Sequence, residues 1–184
     1  MRLETERLIL RPPAKKDVKD LVEGLNNIKV SRYLSSVAFP YTKKHAFEWI
    51  KITQKEARKK KREKYNFAIE LKSEKKDIGG IGVFDYSSWE GSAEIGYWLN
   101  EKYWKMGIMS EALQRILEFC FNTLKVRRVV IGTYTDNVAS NILIKKFGLK
   151  LEATFREDGR PKSTGKIHST HYYGLLRSEW KKKK

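Results

Sequence analysis

Three consecutive segments near the centre of the chain have the length and composition of β-strands, and only polar turns separate them. The segments are residues 65–71, 78–85 and 93–99, and the turns fall around residues 75–77 and 87–91. Strands joined by such short connections pair antiparallel. The centre of the chain therefore predicts an antiparallel meander, and the remaining elements must pack on this sheet or extend it.

The flanking segments extend the sheet and cover it. Before the meander we predict a strand at 7–11, helices at 15–26 and 28–34, and a longer helix from an N-cap at Thr42 to residue 64. After it we predict helices at 110–124 and 139–146, the second ended by Gly148, and strands at 128–134, 150–156 and 168–176. The order predicts an α/β (α+β) sandwich, with a mixed, mostly antiparallel central sheet of about seven strands flanked by helices.

Length and composition limit the class of protein. The 184 residues predict one domain over 1–180 and a basic tail at 181–184. No apolar run approaches the ~20 residues that span a bilayer, and the first residues lack an apolar signal core. The lone Cys120 cannot form an intramolecular disulfide, and three scattered histidines show no metal-ligand spacing. We therefore expect a cytoplasmic protein with no membrane contact and no metal.

The charge of the chain is its strongest compositional anomaly. The formal net charge is +17 and the pI is about 9.9, with basic runs at residues 58–62 and 181–184. A field of this sign favours anionic partners such as nucleic acid, the ribosome or a phosphorylated cofactor. A solvated lysine-rich surface explains the same composition, so both interpretations stay open.

Residues 94–112 combine a strand, a short loop with Gly107 and the start of a helix. A helix that begins after a tight glycine turn presents free N–H groups and a positive dipole end, which suit a phosphate or pyrophosphate. Gly107 permits close backbone approach, and Lys105 can add a charge contact. An ordinary strand-to-helix turn would show the same pattern.

Asn137 occupies a second strand-to-helix junction. It follows the strand at 128–134 and precedes the helix at 139–146. Asparagine is a preferred N-cap residue, so a purely structural role is one interpretation. Its side-chain amide could instead bind the amide of a ligand that lies against the strand end.

Together these stretches resemble the GNAT superfamily of N-acetyltransferases. Residues 94–112 resemble its motif A, and residues 137–149 resemble its motif B, while residues 5–11 and 94–99 resemble the RimJ/RimL branch. The resemblance runs from Leu3 to about Glu179. Motif A departs from the family pattern at Trp104 and Met109, and Ile144 stands where many members carry a tyrosine that acts as general acid.

The resemblance implies that acetyl-CoA is the co-substrate. Backbone amides around Gly107 would hold its pyrophosphate, its pantetheine arm would lie along the strand ending at Leu99, and Asn137 would bind the pantetheine amides. The residues implied in cofactor binding are Tyr97, Trp98, Leu99, Trp104, Lys105, Met106, Gly107, Ile108, Met109, Ser110, Asn137 and Asn141. The implied acceptor is a protein or peptide N-terminus, including that of a ribosomal protein.

The implied reaction is direct attack by a neutral amine in a ternary complex. At pH 7 deprotonation costs roughly 1 kcal/mol for an α-amine and nearly 5 for lysine, so an α-amine tolerates a weak base. Glu94 is the first candidate for that base, and Glu157 and Asp158 are the next. By the resemblance, Ser140 would protonate the departing thiolate.

Other interpretations remain open. The acceptor could be a small amine such as a polyamine or aminoglycoside, or the chain could be a CoA-binding, non-catalytic module for RNA or the ribosome. A dinucleotide-binding enzyme is disfavoured, because the glycines at 79, 80 and 82 do not open a helix. We expect His168 and His171 to be structural or to border the substrate cleft. Monomer and homodimer are equally compatible with the sequence.

Overall fold

The computed structural model describes residues 1–180, so the predicted basic tail at 181–184 lies outside the described residues. The strands are β1 (Leu3–Glu4), β2 (Leu8–Arg11), β3 (Tyr65–Leu71), β4 (Lys76–Ser87), β5 (Ser92–Leu99), β6 (Arg128–Tyr134), β7 (Lys150–Gly159) and β8 (His168–Leu176). The helices are α1 (Val18–Leu25), α2 (Ile28–Ser31), α3 (Lys43–Ala57), α4 (Ile108–Glu118) and α5 (Val138–Lys146). No helix within residues 1–180 has the length and apolarity needed to cross a membrane.

The strands form one mixed sheet in the order β1-β2-β3-β4-β5-β6-β8-β7. Every neighbouring pair is antiparallel except β5 and β6, which are parallel. The predicted α/β architecture with a mostly antiparallel sheet is confirmed. The sheet has eight strands rather than about seven. The additional strand is β1, which pairs with β2 through only Leu3 and Glu4. Two residues show no periodicity, so this strand has no sequence signal.

The two faces of the sheet bury separate cores. Alternate strand residues pack with α4 into the larger core, which includes Leu10, Ile69 and Ile95. On the other face α1, α2 and α3 form a smaller core, centred on Leu21 and Ile50. Period-2 alternation in the strands and helical spacing in the helices therefore fix which face each helix covers.

Helix ends differ from prediction where charge or backbone conformation decides them. The predicted helix 42–64 has its N-cap at Thr42 but ends at Ala57. Like charges three and four residues apart destabilise a helix, and residues 58–62 are all basic. Helix α4 begins at Ile108 rather than at 110, because Gly107 takes the N-cap position with φ of 76°. The predicted C-terminal glycine of α5 is confirmed, since Gly148 has φ of 82°.

Candidate active site

Strands β5 and β6 separate part-way along their length. They pair only where Ser92–Glu94 lies beside Arg128–Val130, whereas β5 continues to Leu99 and β6 to Tyr134. In an antiparallel pair half of the backbone groups point away from the partner strand, so residues 95–99 bonded to β4 keep a second, strand-free edge. This gap can accept an extended ligand as an added strand.

A cleft of about 860 Å³ opens on the face of the sheet that carries α1 and α3. Its floor includes Gly82 and Gly96, which are cross-strand partners, and the ring of Phe84 lies over both. The segment after α2, from Tyr33 to Ala38, forms another wall. The cleft therefore reaches the point where β5 and β6 diverge.

Glu94 stands at that point of divergence. It is the last residue of β5 paired with β6, and its side chain lines the cleft. Burial, and then the nearby carboxylate of Asp85, raise the pKa of Glu94 above its ordinary value. No described residue donates a hydrogen bond or forms an ion pair to its carboxylate. This predicted base therefore sits where an amine could reach it.

Tyr97 and Ser140 bridge the gap between the strands. The phenol oxygen of Tyr97, on β5, lies 2.8 Å from the Oγ of Ser140, in the first turn of α5. Both side chains are largely buried, and burial raises the pKa of Tyr97 to about 12. The two hydroxyls thus form a protonated pair at neutral pH. The sequence placed both residues in the site but did not predict their contact.

Asn137 and Asn141 differ in how much of their side chains is free. Asn137 caps α5 by accepting the N–H of Ser140 at 3.3 Å through Oδ1, which leaves its NH₂ group without a protein acceptor among residues 1–180. Asn141 donates to the carbonyls of Tyr134 and Asn137 and accepts from the hydroxyl of Tyr173. The NH₂ group of Asn137 therefore needs no rearrangement of the protein to meet a ligand, whereas the side chain of Asn141 links α5 to β6 and β8.

The turn before α4 has the geometry of an anion site. Lys105 and Gly107 both have positive φ, 62° and 76°. The first internal bond of α4 runs from the N–H of Glu111 to the carbonyl of Gly107 at 3.1 Å, so the N–H groups of Ile108, Met109 and Ser110 have no intrahelical acceptor. The side chains of Ile108 and Met109 are buried. Met109, where the stretch departs from the motif A pattern, therefore packs in the core.

The N-terminal segment clamps this turn. Arg7 donates to the carbonyl of Met106 at 3.0 Å and pairs with Glu111 at 2.6 Å, while its own N–H also donates to Glu111. Burial acts to raise the pKa of Glu111, but hydrogen bonds from Thr5 and Arg7 outweigh it and lower that pKa. In the sequence, residues 5–7 indicated only a resemblance to a family. Their contacts with the turn are 99 or more positions away along the chain, so no local pattern predicts them.

Trp104, one of the two departures from the motif A pattern, makes a structural contact. Its indole N–H donates to the carbonyl of Leu99, the last residue of β5, at 2.8 Å. The carbonyl of Leu99 therefore already accepts a hydrogen bond from the protein itself. Trp104 fixes the distance between the strand-free edge and the turn at Gly107.

Trp98 belongs to the smaller core. A Cβ built at Gly24 or at Gly80 would lie 2.6 Å or less from its ring, so both glycines are needed for the indole to fit. Any contact of Trp98 with a ligand along β5 therefore uses its backbone. Gly79, Gly80 and Gly82 lie inside β4, as expected for glycines that ease strand packing.

The remaining candidates lie outside the cleft. Glu157 and Asp158 are exposed at the end of β7. The imidazole of His168 is 2.9 Å from Asp136 and stacks on Tyr134. His171 contacts the hydroxyl of Thr154 at 2.8 Å. Neither histidine lines the cleft, and both have structural partners.

Comparison with known proteins decides the family. The model of the acetyltransferase (GNAT) domain matches residues 7–150. The chain belongs to the GNAT acetyltransferase family. This match includes both the turn at Gly107 and the junction at Asn137, so the two motifs interpreted from the sequence are part of the family domain.

Individual relatives agree with the family. The chain is 28% identical to the uncharacterized N-acetyltransferase YoaA of Bacillus subtilis, over 95% of this chain and 96% of that protein. It is 36% identical to the ribosomal-protein-serine acetyltransferase of Escherichia coli over 80 residues, or 42% of this chain and 45% of the other. The solved structure of RimL, a ribosomal L7/L12 α-N-protein acetyltransferase in complex with coenzyme A, superposes with a TM-score of 0.79 at 20% identity, covering 96% and 98% of the two chains. The GNAT fold predicted from the motifs is thereby confirmed.

Proposed function

We propose that this GNAT protein transfers an acetyl group from acetyl-CoA to a protein N-terminal α-amine. The observation that carries the proposal is Glu94, a half-buried carboxylate to which no residue within 1–180 bonds, at the divergence of β5 and β6. There the strand-free edge meets the cleft, so a thioester held in the gap and an amine held in the cleft would meet beside one base.

The residues present fit acetyl-CoA. The free edge of residues 95–98 offers hydrogen bonds to a pantetheine arm, and the NH₂ group of Asn137 faces no protein acceptor among residues 1–180. The unbonded N–H groups at the start of α4 and the exposed Lys105 suit a pyrophosphate. When bound, the co-substrate supplies the activated acetyl group. Two solved GNAT-fold structures contain acetyl-CoA or CoA, which supports this assignment.

The charge of the cleft favours an amine. The carboxylates that line it are Glu48, Asp77, Asp85 and Glu94, and the ammonium groups are Lys64 and Lys162. Burial raises the pKa of Asp77 well above its ordinary value, which weakens its share of this field. The other three carboxylates still outnumber the lysines. A protein of net charge +17 therefore has an entrance that attracts rather than repels a cationic acceptor.

Two groups move the protons. Glu94 accepts a proton from the α-ammonium group, directly or through one water, and the neutral nitrogen then attacks the thioester carbonyl carbon. As the carbon–sulfur bond breaks, the Ser140 hydroxyl donates its proton to the departing sulfur. The second proton, which the attacking nitrogen loses as the amide forms, passes through water to Tyr97, which in turn reprotonates Ser140 2.8 Å away, so both hydroxyls end protonated. Because the pKa of Glu94 is raised, it lies closer to the pKa of an α-amine, about 7.7–8.0. The smaller difference favours transfer of the proton from the α-ammonium group to Glu94.

The choice of acceptor rests on relatives and on chemistry. The Escherichia coli relative is named for acetylating ribosomal protein, and RimL is an α-N-protein acetyltransferase. A single unpaired carboxylate is a sufficient base for an α-amine but a weak one for lysine. The acidic cleft also admits a small polyamine, so this second acceptor class must be tested in parallel.

The test follows acetyl-CoA binding by calorimetry and CoA release with added acceptors. We expect binding near micromolar, and release that depends on peptides with free Ala, Ser or Met N-termini. Nα-blocked peptides of the same sequence are the control. Release with spermidine but not with peptides would replace the proposed acceptor class, and no binding of acetyl-CoA would overturn the proposal itself.

A further inference from the structure

The outer face of α3 and the segment that follows it concentrate the positive charge of the chain. Residues 43–64 contain ten Lys and Arg against three Glu, a net charge of +7 out of +17 for the whole chain. All ten except Arg62 are exposed. Fewer than an eighth of the residues therefore carry two fifths of the net charge, on one side of the molecule.

These cations are not neutralised by the protein. Only Lys59 has a carboxylate within salt-bridge distance in the described chain, that of Glu56 at 2.8 Å. Elsewhere in residues 1–180 the cations with such a partner are Arg2, Arg7, Arg11, Lys16, Lys29, Lys72, Lys76, Lys102, Arg115, Arg128 and Lys150. One of the ten cations in residues 43–64 therefore has an ion-pair partner, against eleven of the 25 Lys and Arg in the rest of residues 1–180.

The positions of the cations follow one stripe of the helix. Lys44, Phe47, Lys51, Lys55 and Arg58 fall within an arc of about 80° at 3.6 residues per turn, over roughly 20 Å of axis. Phe47 is 49% exposed in the middle of this stripe. Proteins that bind single-stranded nucleic acid combine cations that contact the phosphates with aromatic rings on which the bases stack. The stripe offers both kinds of contact.

We infer that this stripe, the basic face of α3, binds a single-stranded segment of RNA. The neighbouring side of the same helix lines the cleft through His45, Trp49 and Ile52. An RNA strand on the basic face therefore runs beside the mouth of the cleft. If the proposed function holds, the acceptors presented to the cleft are N-termini of proteins already bound to RNA.

The test measures binding of a labelled uridine-rich RNA of about 12 nucleotides, within the usual site size, by fluorescence anisotropy without acetyl-CoA. The test variant changes Lys44, Lys51, Lys55 and Arg58 to Gln. The matched control changes four exposed cations on other surfaces, Lys125, Lys145, Lys146 and Lys166, to Gln, and none of them has an ion pair within residues 1–180. Both variants have a net charge of +13, so total charge cannot distinguish them.

We expect the test variant to bind at least ~50-fold more weakly at 0.1 M salt and to lose ~3 from the slope of log K against log salt, at about 0.7 per contact. The control should keep the slope of the unchanged protein. Equal losses in both variants would overturn the inference, as would no RNA binding at 50 mM salt. Binding to vesicles of phosphatidylserine and phosphatidylcholine but not to RNA would replace RNA by a membrane surface.

Phe47→Ala tests the stacking separately from charge. We expect binding to single-stranded RNA to weaken at least 5-fold, with the salt slope unchanged, and Phe47→Trp to restore it. An unchanged affinity in Phe47→Ala would contradict the stacking. Because none of these measurements involves acetylation, a chain that binds RNA but acetylates no peptide would contradict the proposed function alone.

Discussion

The carboxylate of Glu94 combines three properties that decide its chemistry. It lines the cleft, it is half-buried, and no described residue bonds to it. Most other buried carboxylates of the fold are committed to partners, as Glu70 and Asp17 are to Arg11. A group with a raised pKa and a free lone pair is suited to accept a proton rather than to hold the structure.

Glu94→Gln should lower kcat by roughly 10- to 100-fold, at the lower end of what general bases contribute, because an α-amine is partly neutral at pH 7. Glu94 is active as the carboxylate, so activity of the unchanged protein should fall as pH drops through its raised pKa. The variant should lose the part of this acidic limb that belongs to Glu94 and keep only the fall caused by protonation of the substrate amine, whose pKa is about 7.7–8.0. Steady-state kinetics between pH 5 and 9 would measure both, with Glu48→Gln as the control that removes a cleft charge elsewhere. An acidic limb that is unchanged between the original protein and Glu94→Gln would assign the base to another group.

The hydrogen bond between Tyr97 and Ser140 should appear as coupled kinetics. Tyr97→Phe and Ser140→Ala should each lower kcat about 10-fold, and the double variant should be no slower than the slower single one, since the two act as a unit. Each variant should also lose ~1 kcal/mol of stability for the broken bond. Additive losses in kcat would show that the two hydroxyls act separately.

Some residues of the site can be recognised from their neighbours in the sequence, and others cannot. Gly107 and Asn137 stand at helix starts, and such junctions can be recognised within ten residues of sequence, whereas Glu94 lies inside β5. Tyr97 and Ser140 are 43 positions apart, and nothing in either neighbourhood encodes their contact. It exists because β5 and β6 diverge, which is a property of the whole sheet.

Helix α4 depends on a left-handed residue at its start. Gly107 permits φ of 76°, and its carbonyl then accepts the first hydrogen bond of the helix. Arg7 and Glu111 fix the turn from outside. The helix therefore starts at a defined residue with its free N–H groups in fixed directions, which is what anion binding requires.

Gly107→Ala should raise the KM for acetyl-CoA about 10-fold or more, because the Cβ strains the turn and redirects its N–H groups. The matched control is Gly148→Ala, which has φ of 82° and no atom within 4 Å of the new Cβ. Both should lose a similar ~1–2 kcal/mol of stability for a left-handed alanine. Thermal unfolding and saturation kinetics separate the two effects, and an equal change of KM in both variants would exclude a special role for the turn.

Element types were predictable where one periodicity dominates a long segment. The meander, α1 and α5 follow from alternation, helical spacing and a terminal glycine. The end of α3 was wrong because helix propensity alone favours residues 58–62, whereas repulsion between their charges does not. The π-helical turn of Phe119–Thr123 that follows α4 has no pattern of its own, since its residues keep the same buried face.

The molecule as a whole carries two opposed fields. Its surface is strongly basic, with net charge +17, but carboxylates outnumber lysines in the cleft. Such a distribution attracts an acceptor with a positive end and a negative body. It disfavours both a strongly basic peptide, which the surface repels, and an N-acylated one, which the cleft does not attract.

Two peptides that share a free N-terminal Ser but continue with either Asp and Glu or with Lys and Arg should therefore behave differently. At 0.1 M salt the Debye length is about 10 Å, and we expect the acidic peptide to have a kcat/KM about 10-fold higher, because the surface field draws its body towards the cleft. At 1 M salt the length falls to about 3 Å, so the two values should converge as the acidic peptide slows and the basic one accelerates. Initial rates of CoA release at both salt concentrations give the comparison, with free CoA added to thiol reagent at each salt as the calibration. A ratio that does not change with salt would show that contacts inside the cleft, rather than the field of the whole protein, choose the acceptor.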